Sequence, residues 1–533
     1  MEPAVTEPVT RSGLARRLLL GGLVALAALF LFLGYLRMAR VYPTNSDGAS
    51  VALQAWEMLH GNVLLRGWTV ADVSFYTTDM VQLAGLEWLL GLSAEAVHVG
   101  AALTYTLLVL AAALVARGRA RGPEAVLRMG VAVVLLLAPA PGFGYLTLLS
   151  GPDHTGTALP VLAAWWLVER AVARRFVPVV VALLLAWAQV GDALIAVIGA
   201  LPLAVVAGWR LLRAAPAGTR WRRRLLGVDG RLLLAAVVSV PLAAGFVGAV
   251  RAAGGMVGTP AALELSPLSD LWSRAAATAR GVLVVYGGYL PERHGTLSVA
   301  LGVVHLVALP LVVVALGVAL FRLMRHRSTA GDDRVTPLLA VGIAANLAAY
   351  LLSTLPADLH GGREIVAVLP LGAALTGRVV GPWLRANRPG RLALAILVPV
   401  ACLSFAAQAV TANGAAGSAV GSLEASWLSP RGYTYGLGTY WTANSVTLAS
   451  HGRVRVVPVA GMDSYRAHHY ESRDDWYDPA RHDARFLLLD TTAPVDMAKI
   501  TAQFGPPVIT QRFGPRRLLL IYDHNILTDL PSS

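Results

Sequence analysis

The chain has 533 residues, 56% of them hydrophobic and 14% charged, with a mean hydropathy of +0.61. A soluble protein carries about a quarter charged residues, so this composition excludes an ordinary soluble enzyme and indicates a polytopic membrane protein. The net charge of +13 follows topology, because the arginines crowd into alternate loops; it does not indicate nucleic-acid binding. The single cysteine, Cys402, sits in an apolar run and leaves no partner for an intramolecular disulfide.

In chain order, Arg11, Arg16 and Arg17 precede an apolar run from Leu18 to Leu36. That run is longer than a signal-peptide core and lacks a small-x-small cleavage site, so it reads as a retained first span. About eleven spans follow this pattern, at 18–37, 97–116, 127–149, 155–172, 176–191, 193–210, 231–250, 297–322, 336–355, 364–381 and 391–411. Each is near the ~20 residues that cross a bilayer. Pro139, Pro141 and Pro202 interrupt some of them, which neighbouring helices can tolerate.

Arginine-rich segments at 117–122, 170–175, 210–224, 322–327 and 385–391 mark the inner face. The expected arrangement is therefore a multi-pass plasma-membrane protein with a cytoplasmic N-terminus. Residues 1–411 form the transmembrane domain, with a long first outer loop at 38–96. An odd number of spans puts the tail, 412–533, outside the cell. The tail is polar, aromatic and rich in turns, with strand-like runs at 453–461, 485–490 and 517–523. It is expected to be a small extracytoplasmic α/β domain after a Gly/Ala/Ser linker at 411–422.

Ionisable side chains close to a membrane are costly and need a reason. Here they gather on the outer side: Asp47, Asp72, Asp79, Asp153, His154, Asp192, Glu292, Arg293, His294, Asp358, His360, Arg363 and Glu364. In the first outer loop, residues 48–60 suit a helix with Ala52, Trp56 and Leu59 on one stripe, lying in the membrane interface with its Trp at headgroup depth. A Gly61-Asn62 stop, a loop and a second interfacial helix follow.

The order span, acid, interfacial helix, loop, interfacial helix, span resembles the first outer loop of the C superfamily of membrane glycosyltransferases (GT-C). The protein O-mannosyltransferase and aminoarabinose-transferase type is the nearest in pattern. The residues that carry the resemblance are Asp47, ALQAWEMLHGN (52–62) and SFYTTDMVQLAGLEWLLG (74–91), followed by the span AVHVGAALTYTLLVLAAALVAR (96–117). SGPDHTGTALPVLAAWWLVER (150–170) resembles the acid-bearing turn between the third and fourth spans. LHGGREIVAVLPLGAALTGR (359–378) resembles a late span that opens on an Arg. The likeness covers roughly 15–210 and 336–411. Two features depart from the pattern: Tyr76-Thr77-Thr78 stands where a Pro-Pro is common, and Asp47-Gly48 where an Asp-Glu pair is common.

The resemblance implies a GT-C architecture and inverting transfer of a sugar from a polyprenyl-phosphate-linked donor to an envelope glycan, lipid or protein. It also implies that Asp47 is the general base. The chemistry is consistent, since inverting transfer needs a carboxylate to take the acceptor proton. Asp47 or Ser46 at a helix start can equally be a simple N-cap. The leaving phosphate calls for a cation, and Arg363 is the first choice, with His360 and Arg293 weaker; snorkelling or pairing with Asp358 or Glu364 is the plain alternative.

Asp153 and His154 at a tight turn suggest substrate binding or capping, and Asp79 and Tyr76 suggest further cleft contacts. Tyr289 could stack on a sugar, although aromatic residues near spans more often form an interfacial belt. A divalent metal on Asp153, His154 and His360 is conceivable, but no spacing supports it, and no cofactor is expected with certainty. The dense stretch YRAHHYESRDDWYD (465–478) reads best as a solvated loop. Walker, HExxH and dinucleotide signatures are absent. A transporter or flippase would show charge in mid-span, where His305 and Asn346 are the main polar exceptions. A non-catalytic scaffold that retains the fold is the third reading.

Overall fold

The structure is a computed structural model that describes residues 11–213, 225–259, 264–291, 293, 295–325, 333–356, 358–461, 464–492 and 495–531. Glu292 and His294 lie outside the described residues.

Helix α1 (Arg11–Ala39) leads into the first loop, which holds α2 (Ser46–Leu59), the short strand β1 (Trp68–Val70) and α3 (Asp79–Leu90). The bundle continues through α4 (Ala94–Arg117), α5 (Gly122–Leu136), α6 (Phe143–Leu149), α7 (Ala158–Ala171) and α8 (Val177–Gly191). A π-helical turn at Ala196–Ala200 feeds α9 (Leu201–Arg213) and α10 (Val228–Ala252). Strand β2 (Val257–Gly258) and α11 (Leu271–Val285) precede α12 (Thr296–Arg325) and α13 (Val335–Leu352). A 3-10 turn at His360–Ile365 opens α14 (Val368–Ala386), and α15 (Arg388–Thr411) follows.

Among the described residues, seven helices are long and apolar enough to cross a membrane. All eleven expected spans are helical, but four do not meet that measure. The expected span at 127–149 divides into α5 and α6 around Pro139 and Pro141, because proline removes a backbone donor and clashes with the preceding turn. Helices α7 and α8 are short. Helix α14 is buried without a break from Val368 to Arg378 and is the central helix of the bundle.

After α15 come α16 (Ser422–Leu428), β3 (Tyr435–Thr439), α17 (Tyr440–Ala449), β4 (Arg455–Ala460), β5 (Arg466–Ala467) and β6 (Ser472–Arg473). Strand β7 (Phe486–Asp490), α18 (Met497–Phe504), β8 (Ile509–Phe513) and β9 (Arg517–Ile521) complete the chain. Six strands form a mixed sheet in the order β5-β4-β3-β7-β9-β8, with β3 parallel to both β4 and β7. The three strand-like runs expected in the tail coincide with β4, β7 and β9.

The first loop and the tail form one body. Strand β1 pairs in parallel with β2 and antiparallel with β6, so three distant segments share one small sheet. Thr44 forms a parallel bridge with Ala419. One apolar core runs from Ala52, Trp68 and Met80 in the loop to Leu437, Val457 and Leu487 in the tail. Trp68 meets Trp476 edge-on, with ring centroids 5.0 Å apart.

This packing corrects the expectation for α2. The helix is buried from Gly48 to Ala55 and packs against α3 and α17, so it does not float in the interface. Its alanines and glycine make a narrow surface that the tail covers. Helix α3 instead ends on an exposed apolar patch, with Trp88 77% exposed beside exposed Leu89 and Leu90.

Candidate active site

Asp47 lies in the first turn of α2, but it is not the cap. The Asn45 side chain accepts from Gly48 N at 3.0 Å and takes that role. Ser46 Oγ donates to the Tyr440 carbonyl, and Ser50 Oγ to the Asp47 carbonyl at 2.9 Å. The Asp47 carboxylate is thus left for other partners. The Tyr440 hydroxyl reaches Asp47 Oδ1 at 2.5 Å. The same hydroxyl is hydrogen-bonded to Glu471 Oε2. Burial, then the nearby Glu471 and Asp47 charges, push the Tyr440 hydroxyl far above the usual phenol range.

A second cluster adjoins the first. His154 Nδ1 is 2.7 Å from Asp192 Oδ2, and its Nε2 is 3.0 Å from Glu364 Oε2. Burial pushes the imidazolium down, yet the two carboxylates outweigh it and hold the His154 pKa well above its ordinary value. Asp192 and Glu364 are also pushed up by burial, but His154 brings both below the usual carboxyl range. The Thr157 hydroxyl donates to Asp192, and Leu194 N donates to its other oxygen at 2.8 Å. Asn346, one of the polar exceptions in the spans, donates to the Glu364 carbonyl at 3.1 Å and so supports this turn.

Arg363 connects the two clusters. It stands 3.6 Å from Glu364 and is half exposed. Its charge interacts with Asp153, Glu364, Asp47 and Tyr470; against the depressing effect of burial, these keep its pKa raised. Asp153 accepts from His154 N at 2.7 Å, and burial pushes its carboxyl up, partly offset by His154 and Arg363. Asp79 is buried beneath this cluster. A Cβ on Gly156 would stand 3.0 Å from both Asp79 carboxylate oxygens, so this glycine admits the carboxyl. Burial, with added repulsion from Asp192 and Asp153, pushes Asp79 up to about 7.

Five residues expected from the sequence therefore lie in or beside one site: Asp47, Arg363, Asp153, His154 and Asp79. His360, on the same 3-10 turn as Arg363, is exposed and meets the Phe143 ring at 5.1 Å. Of the other three, Tyr76 and Arg293 have structural partners. The Tyr76 hydroxyl donates to the Val63 carbonyl at 2.7 Å. Arg293 is buried and donates to the carbonyls of Ser298 and Gly287. Tyr289 is half-buried before α12.

The sequence assigns no role to Tyr440, Glu471 or Asp192, and to Glu364 only that of an ion-pair partner for Arg363, a contact the structure contains at 3.6 Å. Asp192 and Glu364 were visible as outer acids, whereas Tyr440 carried no signal. Glu471 belongs to the stretch read as a solvated loop. That reading is corrected, because Glu471, Ser472 and Trp476 are buried where β6 docks on β1. No group of three or more His, Cys, Asp or Glu among the described residues is arranged to hold a metal ion.

No family model matches the sequence. No curated protein matches it either. The fold, in contrast, is similar to that of solved structures. ArnT from Cupriavidus metallidurans in the apo state is similar over 96% of this chain and 99% of its own, with a TM-score of 0.55 and 14% identity. The same protein bound to undecaprenyl phosphate is similar over the same shares, with a TM-score of 0.53 and 14% identity. At this identity the likeness is one of fold.

Proposed function

We propose that this chain is a membrane glycosyltransferase that moves a sugar from a polyprenyl-phosphate-linked donor to an envelope glycan, lipid or protein at the extracytoplasmic face. In this reading the chain crosses the plasma membrane about eleven times, with its N-terminus cytoplasmic. Residues 412–533 then form the outer domain over the transmembrane unit of 1–411. The observation that carries the reading is that the Arg363 charge, on the turn before α14, interacts with Asp47 of the first loop, a base and a phosphate-gripping cation at one site that the tail covers.

Asp47 takes the proton of the acceptor hydroxyl on its free oxygen as that hydroxyl attacks the sugar's anomeric carbon. The bond from that carbon to the phosphate oxygen breaks, and its electron pair leaves with the lipid phosphate. Attack opposite to departure inverts the anomeric centre. Arg363, aided by His360, meets the charge that builds on the phosphate; a guanidinium fork suits two of its oxygens. The His154 network fixes the turn that carries Arg363. The capture of ArnT with undecaprenyl phosphate supports a lipid-phosphate ligand for this fold.

The ionisable groups of this site gather where the first loop and the tail meet the bundle, and the other buried ion pairs, Arg378 with Glu169 and Asp333, sit apart from them where α7 ends and α13 begins, which favours transfer over transport. The test is transfer from a panel of radiolabelled polyprenyl-phosphate sugars into native membranes, comparing wild type with Asp47→Asn at matched expression. Transfer that disappears in the variant supports the reading. Equal transfer by both proteins removes Asp47 from the mechanism, and no transfer from any donor shifts the balance to a scaffold or transporter.

A further inference from the structure

The mechanism above uses Asp47 and leaves a buried acid beside it without a role. Glu471 is 3% exposed, and its carboxylate shares the Tyr440 hydroxyl with Asp47. A phenol has one proton to donate, and here two carboxyl oxygens lie within hydrogen-bond reach of it. With both acids ionised, one of those contacts would set a carboxylate against an oxygen lone pair. Both contacts are bonding only if a second proton resides on one of the acids.

The backbone at Glu471 gives an independent sign. Its φ is +49°, in the left-handed region that a β-carbon disfavours. Such a conformation persists where surrounding contacts over-determine it, and it recurs at functional sites. Here Asn444 Nδ2 donates to the Glu471 carbonyl at 3.1 Å, and Ser472 Oγ to the His468 carbonyl at 3.0 Å. The strained turn aims the carboxyl inward to the start of α2, where Ser50 also meets it.

We infer that Glu471 and Asp47 form one acid pair, joined through the Tyr440 hydroxyl and sharing a proton, in which Glu471 is a positioning residue for the base. This rests on the glycosyl-transfer reading. Protonated Glu471 donates to the Tyr440 oxygen, Tyr440 donates to Asp47 Oδ1, and Asp47 Oδ2 is left for the acceptor proton. The pair carries one negative charge, and the outer domain supplies half of it. Burial, then the Asp47 charge, push Glu471 up to about 8, which leaves the proton on Glu471 at neutral pH. The other groups facing the pair are Arg363, whose charge acts on Asp47, and Asp72, Tyr470 and His468; the Tyr470 and His468 rings lie 5.3 and 5.8 Å from that of Tyr440. Burial lowers the His468 pKa, so it brings no cation to discharge the pair.

The test is an infrared titration of the full-length chain in detergent, carried from well below to well above pH 8. Beside the bands of Asp79, raised to about 7, and Glu87, raised to about 9, wild type should show a carboxylic-acid carbonyl band that disappears near pH 8. Glu471→Gln should lack that band. Asp47→Asn should move its midpoint down, because the neighbouring charge is gone. A spectrum unchanged by Glu471→Gln, or a midpoint that Asp47→Asn leaves in place, overturns the inference. The second comparison decides the matter if Glu471→Gln fails to fold. In the transfer assay, wild type should lose activity on the alkaline side while Glu471→Gln, which cannot ionise, shows no such fall. A wild type that transfers nothing defeats the functional reading, whereas the infrared result judges the acid pair by itself.

Discussion

The Tyr440 hydroxyl stands 2.5 Å from the Asp47 carboxylate across 393 positions of sequence. The bond closes the tail domain onto the first loop at the point where α2 begins. It also separates two roles that the sequence left merged at this helix start. Asn45 is the cap, so Asn45→Ala should lower stability by about 1 kcal/mol. Asp47→Asn keeps an acceptor for Tyr440 and should leave the melting temperature nearly unchanged while abolishing transfer. Thermal unfolding of both variants beside the transfer assay checks this.

His154 holds two carboxylates, buried Asp192 and partly buried Glu364, at 2.7 and 3.0 Å. Removing the cation leaves two acids facing one another in a buried site. His154→Ala should cost about 3–5 kcal/mol, the range for breaking a buried ion pair from one side. A loss below about 1 kcal/mol, the range of an exposed pair, would mean that the network is solvated.

Asp79 sets a pH dependence of stability. An acid whose folded pKa is raised holds its proton more tightly in the folded chain. The stability it contributes is complete in the acid range and declines as pH rises from the ordinary carboxyl value toward about 7. Asp79→Asn removes that decline. Its melting temperature should gain on wild type as pH rises through this window, by the equivalent of about 1–4 kcal/mol. Melting curves at matched pH values measure the gap, and a constant gap would contradict the raised pKa.

Arg363 has one close carboxylate neighbour and is half exposed, which leaves its fork open to a ligand. Arg363→Gln should raise KM for the lipid-linked donor about tenfold or more, the worth of a lost charge-assisted contact, with a smaller effect on acceptor KM. Arg363→Lys should restore the charge but not the two-pronged grip, and should recover only part of the loss.

Much of the fold could be read from the chain because a bilayer imposes a local rule. Segments near ~20 apolar residues must be helical, since no other open structure pairs its backbone in lipid. All eleven segments expected on that rule are helical, and the departures have local causes: Pro139 and Pro141 break one, and the central position of α14 relieves it of facing lipid. Asp47 and Arg363 were legible as a pair of opposite charges on the same side. The burial of α2 was not, because amphipathic spacing identifies an apolar stripe without saying whether lipid or protein covers it.

What the sequence determined by itself was therefore the membrane class, the helices and the strands of the tail. Each follows from residues close together in the chain. Only the tertiary structure decided that Glu471 and Tyr440 close over Asp47, and that Asp192 and Glu364 grip His154. Partners up to 393 positions apart leave no local periodicity. The balance between ionisation and burial at such a site arises only when folding brings the charges together and excludes the water that would have screened them.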